Sequence, residues 1–351
     1  MKQFLYLRVL RHVDYSVFCV NDGQKTYYDP LFEMWVPYSS GQQVKRSILN
    51  ALVDNLCDNP APVTFVSKID KNGAIGEGEA YSACNPKYAD LLLGGWMQAK
   101  AGGTDRTLKR RSPLSISALK PLHPLLAGVP RENISYDRSD RPDLHKIIVK
   151  DSDGNILSPD QVSSILDKSS RSLLRKYIQD NKRATGFFTY DVAIDLRTLF
   201  CVSTNQLEPE ISKATIDELI KEGWIEGENA FGKCLIVPRE RREKIIAALA
   251  KALLNWRITS NQSRTFSLQE DLAIAISDNA NTISAAIRTK MIDEGERPKA
   301  KPIVDENTGA DVFITLPCAG YISTEAESAN ALKLAEERLI QIMKEFDYEH
   351  Q

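Results

Sequence analysis

The residues best placed to hold a ligand are Ser40-Gly41-Gln42-Gln43-Val44-Lys45-Arg46, a small polar cap that runs into two cations within about two helical turns. A helix that starts there turns its free backbone N–H groups and the positive end of its dipole toward an anion, and the cations reach that anion from the side. This is the chemistry of a phosphate seat, although an ordinary capped surface helix uses the same residue types. A second basic run, Lys100, Arg106, Lys109, Arg110 and Arg111, lies in a Gly-rich stretch without hydrophobic pattern. It reads either as an arm laid along a nucleic-acid backbone or as a solvated loop. A third group, Ser260-Asn261-Gln262-Ser263-Arg264, follows a long apolar helix. Its amides donate or accept and its guanidinium grips phosphate, and a plain helix-ending loop is the alternative.

Residues for covalent or metal chemistry are scarce. His12, His123 and His145 lie far apart, without a G-x-S-x-G or Cys-His signature, and no two of the four histidines have metal-ligand spacing. The six cysteines contain no C-x-x-C pair, so buried reduced thiols are expected, with no metal and no cofactor. GAIGEGEA at 73–80 has neither the G-K-[ST] of a P-loop nor G-x-G-x-x-G spacing. Asp14 and Asp29 flank the first turn, as solvated turn residues or as carboxylates able to assist cleavage of a bound RNA.

The elements that must position these groups come from a chain of 351 residues, 42% apolar and 26% charged, which suggests two domains or one large domain with insertions. Forty-five Lys and Arg against 47 Asp and Glu give a formal charge of -2, which argues against a uniformly basic nucleic-acid binder. The charges are segregated, however: cations cluster at 45–46 and 100–120, and the tail from Thr324 is acidic. Phosphate responds to the surface that faces it and not to the average. No apolar run suits a membrane span or a signal peptide, so a cytoplasmic protein is expected.

Alternation predicts a first strand over 3–20 and a second over 186–202, with Phe188, Tyr190, Val192, Ile194 and Leu196 on the core side. Val44, Ile48, Leu52 and Leu56 predict a helix capped by Ser39 or Ser40, and Ile245, Leu249, Leu253 and Trp256 predict another opened by Pro238. Shorter helices are expected at 212–222 and 281–291, a hairpin over 224–237, a strand at 311–316, and a last helix whose capping box is Thr324 with Glu327. From residue 58 onward, roughly 100 residues of the first half read as an insertion between regular elements. Mixed order and long insertions favour an α+β core of the ferredoxin-like kind.

Three stretches together resemble one family, the CRISPR-associated Cascade backbone subunit of the DevR-like repeat-associated-protein superfamily. They are the cap Ser40 to Arg46, the apolar-Gly-Gly-aromatic run Asp90-Leu91-Leu92-Leu93-Gly94-Gly95-Trp96-Met97, and Asn261-Gln262-Ser263-Arg264. The strand GFFTYDVAIDL is similar to the family's second palm strand. The resemblance implies a ferredoxin-like, RRM-like palm over 1–57 and 181–351, a finger over 58–180 and a thumb loop at no fixed position. It also implies a non-catalytic subunit of a type I, I-B-like surveillance complex that polymerises with copies of itself along a CRISPR guide RNA. That subunit would present the guide to complementary target DNA beside other Cascade subunits. Carried over, Lys45 and Arg46 would contact guide phosphates, with Ser40 and Gln42 assisting at the cap and Asn261, Gln262 and Arg264 on the same track; Lys109, Arg110 and Arg111 are added as RNA-binding residues from the basic run itself. Aromatic RNP motifs are not evident, so the RNA is expected to lie by its phosphates and not by stacking. Gly41 stands where many relatives have a second Ser. The rivals are a type III-like relative that cleaves target RNA with Asp14 or Asp29, and a metabolic enzyme whose basic loop binds a phosphorylated small molecule.

Overall fold

A computed structural model describes residues 3–19, 23–98, 107–168, 172–258 and 267–351. Strand β1 (Phe4–Ser16) leads into a hairpin of β2 (Thr26–Asp29) and β3 (Met34–Pro37), and then into α1 (Gly41–Leu56). A first excursion holds β4 (Val63–Val66), β5 (Glu79–Ser82), α2 (Ala89–Gly94), β6 (Trp96–Gln98) and β7 (Leu108–Arg110). Three short strands, β8 (Leu114–Ile116), β9 (Lys120–Pro121) and β10 (Ala127–Gly128), precede a second excursion of β11 (Arg131–Asp137), α3 (Pro159–Leu166) and β12 (Arg175–Lys182). The chain returns through β13 (Ala184–Asp195), α4 (Leu196–Leu199), β14 (Cys201–Ser203), α5 (Lys213–Lys221), β15 (Ile225–Asn229) and β16 (Gly232–Ile236). After these come α6 (Arg239–Leu254), β17 (Gln269–Ser277), α7 (Ala280–Ala286), β18 (Ile287–Asp293) and β19 (Lys299–Val304). The last elements are β20 (Asp311–Thr315), β21 (Glu327–Ser328) and α8 (Ala331–Glu345).

The fold is α+β, built on a central mixed sheet. Its path runs β13-β1-β17-β20-β21, antiparallel except for the last pair, with β8, β9 and β10 paired in separate steps along the outer side of β13. β13 and β17 flank β1 and are joined by a connection that contains α6. Strict alternation drives this arrangement. Leu5, Leu7, Val9 and Val13 of β1 and Phe188, Tyr190, Val192 and Ile194 of β13 all point to one buried side, where they meet Val44, Ile48 and Leu52 of α1 and Ile245, Leu249 and Leu253 of α6. Each fully buried side chain of this size contributes roughly 1.5–3 kcal/mol relative to exposure. Helix α8 completes the layer through Ala335, Leu339 and Met343.

The opposite face of the sheet is also covered. Leu10, Leu272, Ala273 and Ala275 pack against Ile283 and Ala286 of α7, Ile287 of β18, and Ile314. A bulge at Leu10/Arg11 leaves Leu272 without a partner in the register. Arg11 follows Leu5, Leu7 and Val9 on the α1–α6 side by the alternation of β1, and the bulge brings Asp271 opposite it.

Three expectations are corrected. Residues 114–128 fall inside the stretch expected to be an insertion, yet they form the border of the central sheet, so the excursion splits into 57–113 and 129–183 around them. The helix expected to reach Met291 ends at Ala286, because Ile287, Thr289 and Met291 alternate with Arg288 and Lys290 and pair with β19 as a strand. Thr324 accepts from Ala326 N at 3.1 Å and caps only a turn, and Glu327 belongs to β21. Helix α8 begins at Ala331, where the buried 3.6-residue period of Ala331, Ala335, Leu339 and Ile342 sets in.

Candidate nucleic-acid interface

Ser40 is the N-cap of α1, with extended backbone and its hydroxyl accepting from Gln43 N at 3.3 Å. Ser39 just before it is tied to Leu119 by reciprocal backbone bonds of 2.9 and 3.1 Å. The first turn therefore lies against the β8–β9 border. A Cβ on Gly41 would stand 2.9 Å from Ile116 O, so close backbone approach requires glycine here. Gln42 and Arg46 are exposed. Lys45 leans inward, half-buried, and donates from Nζ to Leu114 O at 3.2 Å. Burial pulls its pKa below the ordinary lysine value, so the folded protein holds a charge there that is short of solvation. An anion beside it would supply what water does not.

The basic run divides by residue. Lys109 is exposed and reaches Glu208 at 3.2 Å, and Arg111 is exposed. Arg110 is buried and corrects the expectation of a backbone contact. Its guanidinium donates to Leu92 O (3.2 Å), Cys201 O (2.9 Å), Thr198 O (2.8 Å) and Glu210 Oε2 (2.8 Å). Strand β7 alternates, so Arg110 turns inward where Lys109 turns outward. The Gly-Gly-Trp motif belongs to the same joint: Trp96 Nε1 donates to Glu210 O at 2.8 Å, and a Cβ on Gly95 (φ +74°) would meet Arg110 O at 2.6 Å. Lys100, Arg106, Asn261, Gln262 and Arg264 lie outside the described residues.

Ser267 donates to Asp14 O and Gln269 pairs with Val13, so β17 begins beside the end of β1 that also leads to the hairpin and α1. A cleft of about 840 Å³ opens there, lined by Arg11, Lys251, Trp256, Arg257, Gln269 and Lys333 among others. At its floor Arg11 forms a two-pronged pair with Asp271 (2.5 and 3.0 Å) and stacks on Trp256, 4.5 Å from the ring centre. Burial works against the Arg11 charge, but the facing carboxylate outweighs it and holds the pKa above the ordinary arginine value.

The sequence reading missed Arg11, Arg257 and the exposed aromatics of β2–β3. Arg11 was visible only as a cation at an apolar position of an alternating strand. Asp29 accepts from Leu31 N and Phe32 N at 3.0 Å each and shapes its own turn; Asp14 accepts from Thr185 Oγ1 at 3.1 Å. Among the described residues no group of three or more His, Cys, Asp or Glu is placed to hold a metal, and no helix is long and apolar enough to cross a membrane.

No family model matches the chain, and no curated protein matches it. Among solved structures, it is similar to a chain titled CRISPR RNA-guided surveillance complex, pre-nicking, with 10% identity and a TM-score of 0.45, over 97% of this chain and 89% of that one. It is also similar to a chain titled CRISPR RNA-guided surveillance complex, with 12% identity and a TM-score of 0.45, over 97% of this chain and 99% of that one.

Proposed function

We propose that the chain is a non-catalytic guide-RNA-binding backbone subunit of a type I CRISPR surveillance complex, which lines up with copies of itself along the RNA and presents it to target DNA. The observation that carries the reading is the seat at the start of α1. A capped helix N-terminus sits against a sheet border, with one under-solvated cation, Lys45, and one exposed cation, Arg46, on its first two turns. In this reading the border-β13-β1-β17 order, with α1 and α6 on one face, is a ferredoxin-like palm. The two excursions are then finger elements, and Ser40, Gln42, Lys109 and Arg111 assist the two cations. Sequence-tolerant holding of RNA calls for backbone contacts of this kind and leaves recognition of sequence to base pairing.

The test replaces Lys45 and Arg46 together by alanine in the full chain and measures single-stranded RNA affinity across a salt series. Each phosphate contact on a single strand contributes roughly 0.7 to the slope of log K against log salt, so the double variant should lower that slope by about 1.4. Unchanged affinity at moderate salt would remove these residues from the interface. Incubation of the assembled protein with complementary RNA and a divalent metal gives the second readout: regularly spaced cuts would replace this reading by the cleaving one.

A further inference from the structure

We infer that the outer face of the β2–β3 hairpin, with Arg131 and Lys182 beside it, is a stacking station for an unpaired nucleobase and its phosphate. Tyr28 and Trp35 are directly opposed in the hairpin register, and their rings meet edge to face at 5.6 Å. Both stand in solvent, at 47% and 61% exposure, whereas Val36 on the opposite side of the hairpin is buried and Tyr27 packs on Tyr38. Trp35 is one of four tryptophans; Trp96, Trp224 and Trp256 are each less than 9% exposed. A two-stranded hairpin that shows two large rings to water has little intrinsic stability, yet this one is firmly held. The buried Gln24 amide accepts from Phe18 N (2.8 Å) and donates to Lys25 O (2.8 Å) and Tyr38 O (3.1 Å), and Ser39 donates to Phe18 O at 3.0 Å. The platform is therefore set in place before any ligand arrives.

Beside it lies a half-open cleft of about 350 Å³, bounded by Trp35, Met34, Thr26, Gly128, Arg131 and Lys182. No carboxylate is among its described lining residues. Arg131 is exposed and faces Asp180 at 3.5 Å, and Lys182 is exposed. An aromatic wall with two cations at its rim matches a base with its phosphate better than an apolar protein side chain, because stacking is tolerant of base identity and the cations answer the backbone charge. The choice of RNA as the strand rests on the proposed function; the chemistry of the station does not.

The full chain is titrated with a short oligoriboadenylate and with an abasic phosphodiester oligomer of equal length, and Trp35 emission serves as the reporter. Stacking predicts quenching by the base-bearing strand only. Trp35→Leu should abolish the quenching and weaken binding by about tenfold, in line with the usual worth of one stacked base. Lys182→Glu, at an exposed site that leaves the hairpin intact, should weaken binding of both oligomers. Equal quenching by the abasic strand, or wild-type affinity in Trp35→Leu, overturns the station; the latter result would mark the rings as a protein contact. If Trp35→Leu binds normally while Lys45→Ala/Arg46→Ala binds poorly, the station falls and the RNA reading stands. The reverse pattern keeps the station and removes the α1 seat.

Discussion

Removal of Arg110 tests how the basic run is divided between fold and surface. Arg110→Ala deletes four donors at once and leaves the carbonyls of Leu92, Thr198 and Cys201 without their guanidinium partner. The partially buried Glu210 carboxylate keeps its bond from Ser203 N at 2.9 Å but loses its counter-charge. Breaking a buried pair by removing one partner costs about 3–5 kcal/mol, a large share of the roughly 5–15 kcal/mol by which domains are stable. The neighbours act as internal controls. Lys109→Ala and Arg111→Ala, both on the surface, should stay within about 0.5 kcal/mol of the parent. Urea unfolding followed by circular dichroism measures all three, and RNA affinity is read on the same preparations at a temperature where each is folded. If Arg110→Ala unfolds at the parental midpoint while its RNA affinity drops, Arg110 is a surface contact and the joint described around it is not what holds that region.

Two other outcomes follow from the same geometry. Lys45→Met keeps the aliphatic stem and removes the desolvated charge, so the free protein should be as stable or more stable at neutral pH while RNA binding weakens. Because burial lowers the folded-state pKa below the ordinary value of 10.5, the penalty is full below that lowered value. It is relieved as pH rises toward 10.5, since the native state releases the proton first, and a pH-independent stability difference between parent and variant would contradict this. Gly95→Ala should cost about 1–3 kcal/mol, since the added Cβ meets backbone at 2.6 and 2.8 Å where φ is +74°. Gly94→Ala, which touches only the end of Leu49 at 3.0 Å, should cost less in the same thermal melts, and equal costs would refute the assignment.

The long elements were legible because burial writes its own period into them. β1, α1 and α6 stand where alternation or four-residue spacing placed them, and Ser40 caps as its residue type suggests; β13 does so only to Asp195, because Leu196–Leu199, expected to continue the strand to 202, turns into α4. Elements of two or three residues carry no period, so β8, β9 and β10 passed for loop although they border the sheet. Arg11 and Arg110 were illegible for another reason: a cation reads as surface unless its partner is known, and Asp271 and Glu210 lie far away in sequence. The aromatic hairpin was hidden in the same way, since Tyr28 and Trp35 face each other only once the turn has closed.

The stepped border of the central sheet bears on how copies of the chain can meet. On one margin β8, β9 and β10 cover β13 in three short pieces, with Pro121 in β9, Pro124 between β9 and β10, and Pro113 and Pro130 at the two ends; on the other, β21 adds only two residues. Among the described residues, neither margin of this sheet offers a ladder of free N–H and C=O groups long enough to accept a strand from another molecule. In the row of copies proposed above, no backbone seam would then run through the central sheets; pitch would be set by side-chain contacts and by the threading strand, and the length of the row would be dictated by that strand.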